Sequence, residues 1–286
     1  MKAHRAVTFI LLSFLLVASF ACCPGEKLPP GVTVDGIVEE AIAAGADLDT
    51  CQFDLYMTMD VLMTMLGQTV ESTIMMYSNG TIDESNEKMH IDMYMNMEAA
   101  GEGYMEMSGE MYIIDNWIYM KTEMSGAPPV WMKAPMEVGD WEQQDIALQQ
   151  IEWLSNAEVK FLKTEAIDGT ECYVLQVTPE LEKLWALMQG VWGESLEIPP
   201  GLNLEDVITD FSVKQWIAKD TYFTRKATQN FSVVLTAGSL GISPEPSGDF
   251  DAFADVAITM TIHHINEPVA IELPPEAEEA MELPEL

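Results

Sequence analysis

From Cys51 to Met65 the chain alternates without a break, with Cys51, Phe53, Leu55, Met57, Met59, Val61, Met63 and Met65 in one set and Gln52, Asp54, Tyr56, Thr58, Asp60 and Thr64 in the other. Successive side chains of a strand point to opposite faces. A period of two over this length therefore commits the segment to a long strand with one apolar and one wet face. The pattern returns in Met89, Ile91, Met93, Met95 and Met97 against His90, Asp92, Tyr94 and Asn96. It returns again in Met105, Met107 and Met111 against Tyr104, Glu106 and Ser108. Half-wet strands of this kind pair as antiparallel neighbours.

Turn chemistry punctuates the run. Ser78-Asn79-Gly80 after a strand over residues 70–77, Ala100-Gly101-Glu102-Gly103, and Asp115-Asn116 before residues 117–121 each read as hairpin connections. Asn79-Gly80-Thr81 is also a glycosylation sequon, read here first as turn chemistry. Further strands are expected at 159–165, 172–178, 211–218, 222–235 and 255–265, with Ile167-Asp168-Gly169 and Lys219-Asp220 as turns. Helical spacing occurs at residues 34–44, 141–154 and from Thr178-Pro179 to Met188, with a shorter turn at 204–209. One helix, a meander, central helices and more strands describe an α+β domain. Its large curved antiparallel sheet, an unclosed half-barrel, wraps around a few helices.

The chain opens with Lys2, His4 and Arg5, an apolar run from Ala6 to Ala21, and then Cys22-Cys23. That is a signal peptide, too short to span a bilayer and followed by Pro24 and Gly25 rather than by stop-transfer charges. Cleavage before Cys22 reads as a bacterial lipid-attachment site. Ser19-Phe20-Ala21 also suits ordinary signal peptidase, which would release a soluble secreted form. The organisation expected is signal peptide 1–21, flexible linker 22–32 after a lipidated Cys22, one domain 33–273, and an acidic disordered tail 274–286.

With 13 basic against 47 acidic residues the net charge is −34, which repels phosphate backbones and makes nucleic acid a poor partner. Cys51 and Cys172 remain within the domain. Export permits a disulfide between them, and two buried thiols are the alternative. There is no CxxC or Cys/His cluster, no nucleophile elbow, no glycine-rich phosphate loop and no HExxH helix. No catalytic residue, metal or cofactor is therefore expected, and the chain reads as a binding protein rather than an enzyme. His263-His264 reads as one strand residue on each face.

Of 21 methionines, 17 lie between Met57 and Met136, nearly all at apolar strand positions. Methionine is unbranched and adapts to irregular shapes, so a core needing unique packing uses it sparingly. The residues point to a Met-biased core, to a deformable cavity for acyl chains lined by Met57, Met59, Met63, Met93, Met95, Met105 and Met107, or to thioether coordination of copper(I). Seven tryptophans suit either core packing or an apolar mouth facing lipid.

The order of elements resembles the LolA/LolB/LppX-like lipoprotein superfamily. The resemblance is carried by Ile118-Tyr119-Met120-Lys121 followed by Trp131-Met132-Lys133, and by Asp168-Gly169-Thr170-Glu171-Cys172-Tyr173-Val174-Leu175. It extends to the hairpin of residues 211–219 with Asp220-Thr221-Tyr222, and to Pro268-Val269-Ala270-Ile271-Glu272-Leu273-Pro274 as a closing strand. It implies a half-barrel binding a lipid, acylated molecule or other apolar ligand without chemistry, and an anchored LppX/LprG-type or similar Gram-positive lipoprotein. A protein partner in the envelope, contacted by a sensory or scaffolding module with a filled core, is the alternative.

Overall fold

The structure is a computed structural model that describes residues 26–65, 67–100, 103–124, 128–136, 141, 154, 157–178, 207–236 and 250–283. The signal segment and Cys22, the helix expected over 141–154 except its end residues, and the helix expected after Thr178 lie outside the described residues.

The strands are β1 (Thr50–Met65), β2 (Gln68–Asp83), β3 (Lys88–Ala99), β4 (Gly103–Ile114), β5 (Trp117–Met124), β6 (Val130–Pro135), β7 (Glu158–Ile167), β8 (Thr170–Thr178), β9 (Ile208–Ala218), β10 (Thr224–Thr236), β11 (Phe250–His263) and β12 (Met281–Glu282). They form one 12-stranded sheet in the order β12-β6-β5-β4-β3-β2-β1-β11-β10-β9-β8-β7. Its end strands, β12 and β7, do not pair with each other, so the sheet is unclosed. Every pair is antiparallel except β12 on β6. Two meanders, β1–β6 and β7–β10, are joined where β11 inserts between β1 and β10.

Local chemistry explains several connections. Asp115 and Asn116 both have positive φ, as do Asp168 and Gly169, the conformation that matches hairpin turns to the twist of their strands. Helix α1 (Val34–Ala46) starts at Thr33, whose Oγ1 accepts the Gly36 N–H at 3.0 Å. It buries Ile37 and Ala41, one turn apart, against Tyr173, Leu175, Val177, Val213 and Ile217 of β8 and β9.

Three sequence expectations are corrected, and one open alternative is decided. Ser78-Asn79-Gly80 is not a turn: β2 runs through it to Asp83, and the reversal falls on Glu84–Asn86, where Asp83 Oδ1 accepts the Asn86 N–H at 3.2 Å. Gly80 is there because Phe53, its cross-strand partner, lays its ring where a side chain would stand. The segment from Pro268 to Pro274 forms no strand; it crosses the outer face, where Ile271 and Leu273 pack with Tyr112, Ile114, Tyr119 and Trp131. Proline at either end brings no N–H to a ladder. The tail is ordered as far as Leu283: residues Pro275–Ala277 make a short 3-10 turn, Ala277 is fully buried, and β12 lies on β6 with the Leu283 N–H donating to the Lys133 carbonyl at 2.8 Å. Two small buried alanines and an unpaired sheet edge suffice to hold an acidic segment.

The open alternative concerns a disulfide or two buried thiols at Cys51 and Cys172, which are buried and not bonded to each other. They lie four strand spacings apart, about 19 Å, against the roughly 7 Å that a disulfide spans. Cys51 belongs with Phe53 and Met89 on the inner face, Cys172 with Val174 and Trp216 on the outer. Burial pushes the Cys172 thiol up.

At the opposite edge Glu26, just before α1, accepts the backbone N–H of Thr164 on β7 at 2.8 Å and also its hydroxyl. Those bonds hold the Glu26 carboxyl below the usual carboxylate range. A depressed carboxyl contributes its contact at and above the ordinary glutamate range, about 4.3, and loses it as pH falls through the lowered value. Protection of the Thr164 amide, its exchange rate relative to an unfolded amide at the same pH, should therefore be high at neutral pH and lost in strong acid. Glu26→Ala should lower that protection at neutral pH to the acid level; unchanged protection in that variant would refute the contact.

Candidate functional site

Cross-strand register converts the alternating pattern into a surface. Met57 stands opposite Met76, Met76 opposite Met95, Met95 opposite Met107, and Met107 opposite Met124, a row of five thioethers across β1 to β5. Beside it run Met59, Ile74, Met97 and Met105, and on its other side Leu55, Ser78, Met93 and Gly109. A further row holds Phe53, Gly80, Ile91, Met111, Met120 and Met132. All seven methionines expected to line a cavity share this inner face, as do Met97 of the same alternating set and Met76 and Met124, which the alternation did not mark. Met76 was hidden by the Met75-Met76 doublet, which places one methionine on each face.

The face is graded along the strands. At one end Cys51, Phe53, Ile82, Met89, Ile91 and Ile113 are buried together with Met136 and Trp141, and the Trp141 indole N–H donates to Glu84 Oε2 at 3.0 Å. Beyond it Met93, in the row next to Phe53 and Ile91, is 36% exposed, and toward the other end Met63 is 37%, Met105 51% and Met65 52% exposed. Met57 and Met59 touch the cluster under α1, whereas Met63, Met93, Met95, Met105 and Met107 belong to no buried cluster among the described residues. An apolar wall closed at one end and open at the other can accept an elongated apolar molecule.

The outer face is its chemical opposite. Tyr56, Tyr77 and Tyr94 stand in one cross-strand row, the Tyr77 hydroxyl donating to Asp54 at 2.8 Å and those of Tyr94 and Tyr104 to Glu106 at 2.8 and 2.9 Å. Those two hydroxyls hold the Glu106 carboxyl below its ordinary range. A shallow outer groove of about 580 Å³ is lined by Asp60, Leu62, Glu71, Thr73, Glu98 and Phe253, too rich in carboxylates for an apolar ligand. His263 and His264 meet edge to face at 5.1 Å, each beside a carboxylate, Asp54 at 3.9 Å and Glu267 at 2.8 Å. Trp216 is buried on the outer face, its N–H on Glu165 at 3.1 Å, so it and Trp141 pack and do not form a mouth. Among the described residues no helix is long and apolar enough to cross a membrane.

Residues 33–282 match the family described as "Family of unknown function (DUF6612)". Among solved structures the fold is similar to the Mycobacterium tuberculosis lipoprotein LppX, at 14% identity over 84% of this chain and 100% of that one, with a TM-score of 0.39. It is also similar to a DUF1329 family protein from Desulfovibrio piger, at 11% identity over 84% and 95% of the two chains and a TM-score of 0.25. The ywiB protein of Bacillus subtilis follows at 7% identity, 73% and 92% coverage and a TM-score of 0.19. No curated protein matches.

Proposed function

We propose, from the premise that the chain belongs to the DUF6612 family of unknown function, that it is an exported, membrane-anchored lipoprotein that binds or transfers a lipid or acylated ligand on its methionine face. The observation that carries this reading is the graded inner face: thioethers in register across five strands, buried at the Trp141 end and exposed at the Met65 and Met105 end. Contiguous apolar surface left open on a chain of net charge −34 marks a contact site. Methionine suits it because its flexible side chain fits acyl chains of varied outline.

Each methylene buried contributes about 0.8 kcal/mol, so a chain of some sixteen carbons gains about 12 kcal/mol before the costs of association, enough for tight retention. An acyl anchor on Cys22 adds position. Three residues separate it from Glu26, four Cα steps that reach at most about 14 Å, and Glu26 is fixed to the β7 edge. The sheet would then sit within a few nanometres of the bilayer that holds its ligand.

A second reading, an envelope sensory or scaffolding module with a filled core, draws on the closed end around Met89, Ile113 and Trp141. Titration of the full chain with a fluorescent fatty acid separates the two. Saturable uptake with a blue-shifted probe supports a ligand face, and no uptake supports the filled core.

A further inference from the structure

The outer face holds a grouping that no alternation pattern reveals. His90 and Asp92 are two residues apart on β3 and so share a face, and the register of β3 with β4 sets Asp92 directly opposite Glu110. One donor atom from each of the three lies within 4.8 Å of the others. The His90 ring is stacked on Tyr112, with centroids 4.3 Å apart and planes at 21°, which fixes its direction. Its Nε2 is closed off from solvent, has no hydrogen-bond partner among the described residues, and lies 3.5 Å from Asp92 Oδ1. Glu110 is held from behind. Lys121 Nζ sits 2.8 Å from its Oε1 and 3.0 Å from Glu123, and the Tyr112 hydroxyl is a long 3.3 Å from its Oε2.

A shielded imidazole nitrogen with no partner is costly unless something satisfies it. Neutral imidazole is a nitrogen donor, and two carboxylates face it. One nitrogen and two oxygens are the donor set of a borderline divalent ion; calcium and magnesium want oxygen alone. In a tetrahedral zinc site with bonds of about 2.0–2.2 Å, donor atoms stand about 3.4 Å apart, so the three need to close by little more than 1 Å. Rotation of Asp92 and of the Glu110 carboxylate about side-chain bonds supplies that, with Lys121 kept on Glu110 Oε1 as a positioning group.

We propose that His90, Asp92 and Glu110 form a divalent transition-metal site of the Zn2+ class. Three protein ligands leave a fourth position for water or for a donor from a partner. The site ties β3 to β4 on the face opposite the methionines and stands or falls apart from the lipid reading.

The test is titration of the purified full chain with Zn2+ against a chromophoric chelator, with millimolar Mg2+ present to occupy scattered surface carboxylates. The expected result is one equivalent bound at micromolar concentration or below, and a tetrahedral visible spectrum when Co2+ is used instead. His90→Phe keeps the ring stack and removes the nitrogen, and Asp92→Asn keeps the shape and removes the charge. Each should weaken binding beyond the roughly 10- to 100-fold that loss of a supporting partner costs. Glu106→Gln, on the same face but outside the group, should bind as the parent does, and far-UV circular dichroism confirms that each variant is folded. Absence of stoichiometric Zn2+ binding, or binding unchanged in both His90→Phe and Asp92→Asn, overturns the assignment.

Discussion

Glutamate at Met93 and Met105 together is expected to lower fatty-acyl affinity by about 100-fold or more while leaving the sheet folded. The two positions lie on adjacent strands of the inner face, Met105 toward its open end and Met93 one row beyond the closed cluster, and both are more than a third exposed. In the unliganded protein a carboxylate at either is solvated, and substitutions at such sites change stability by about 0.5 kcal/mol or less. An acyl chain laid along this wall would strip water from both charges, a cost of at least about 3 kcal/mol, or two powers of ten in affinity. Met93→Leu with Met105→Leu keeps the apolar wall and should change affinity only a few-fold. Titration with a fluorescent fatty acid, beside urea unfolding of each variant, reads both quantities. Equal affinity in the glutamate and parent proteins would place the ligand elsewhere.

The largest stability effect is expected at Gly80. A β carbon there would lie 2.4 Å from Phe53 Cζ and 2.5 Å from its Cε1, closer than such atoms approach, and a tight 3.0 Å from the His90 carbonyl oxygen. Valine is among the best strand residues and glycine among the worst, so propensity by itself predicts that Gly80→Val stabilises β2. The Phe53 ring reverses that sign: it is buried, and moving it disturbs the cluster of Cys51, Ile82 and Met89. Gly80→Val should therefore lose about 3 kcal/mol, seen as a lower urea midpoint. Gly80→Ala combined with Phe53→Leu should cost less than the sum of the two single changes, with a coupling of about 0.5–3 kcal/mol. A raised midpoint for Gly80→Val would show that the ring does not occupy the space above the glycine.

Gly80 also marks where sequence reasoning stops. Asn-Gly is the strongest short-range turn signal, and nothing local reveals that the ring of Phe53, 27 positions away in the sequence, needs that glycine flat. By contrast Asp115-Asn116 and Asp168-Gly169 lie where strand and turn chemistry agree, and both form the expected hairpins. The strands from β1 to β5 were legible because a period of two is a property of each strand alone. The membership of the methionine face followed from it. The gradient along that face did not, because it depends on Met136 and Trp141 folding over one end from a distant part of the chain.

Long-range facts were hidden for the same reason. Two cysteines in an exported chain invite a bridge, but only the strand order shows them four strands apart on opposite faces. His90, Asp92 and Glu110 are scattered polar residues until register brings Asp92 and Glu110 together. The Pro/Glu-rich tail has the composition of a disordered segment, yet a free sheet edge at β6 and a small pocket for Ala277 hold it.

The central claim, that the inner methionine face holds a lipid or acylated ligand, is tested most directly by native mass spectrometry of the full chain released gently from its own membrane. The expected spectrum shows a covalent diacyl or triacyl mass on Cys22 together with a second, non-covalent lipid that is lost on mild activation and absent from the Met93→Glu/Met105→Glu protein. A chain that leaves its membrane with no bound lipid, and that takes up none when offered, would contradict it.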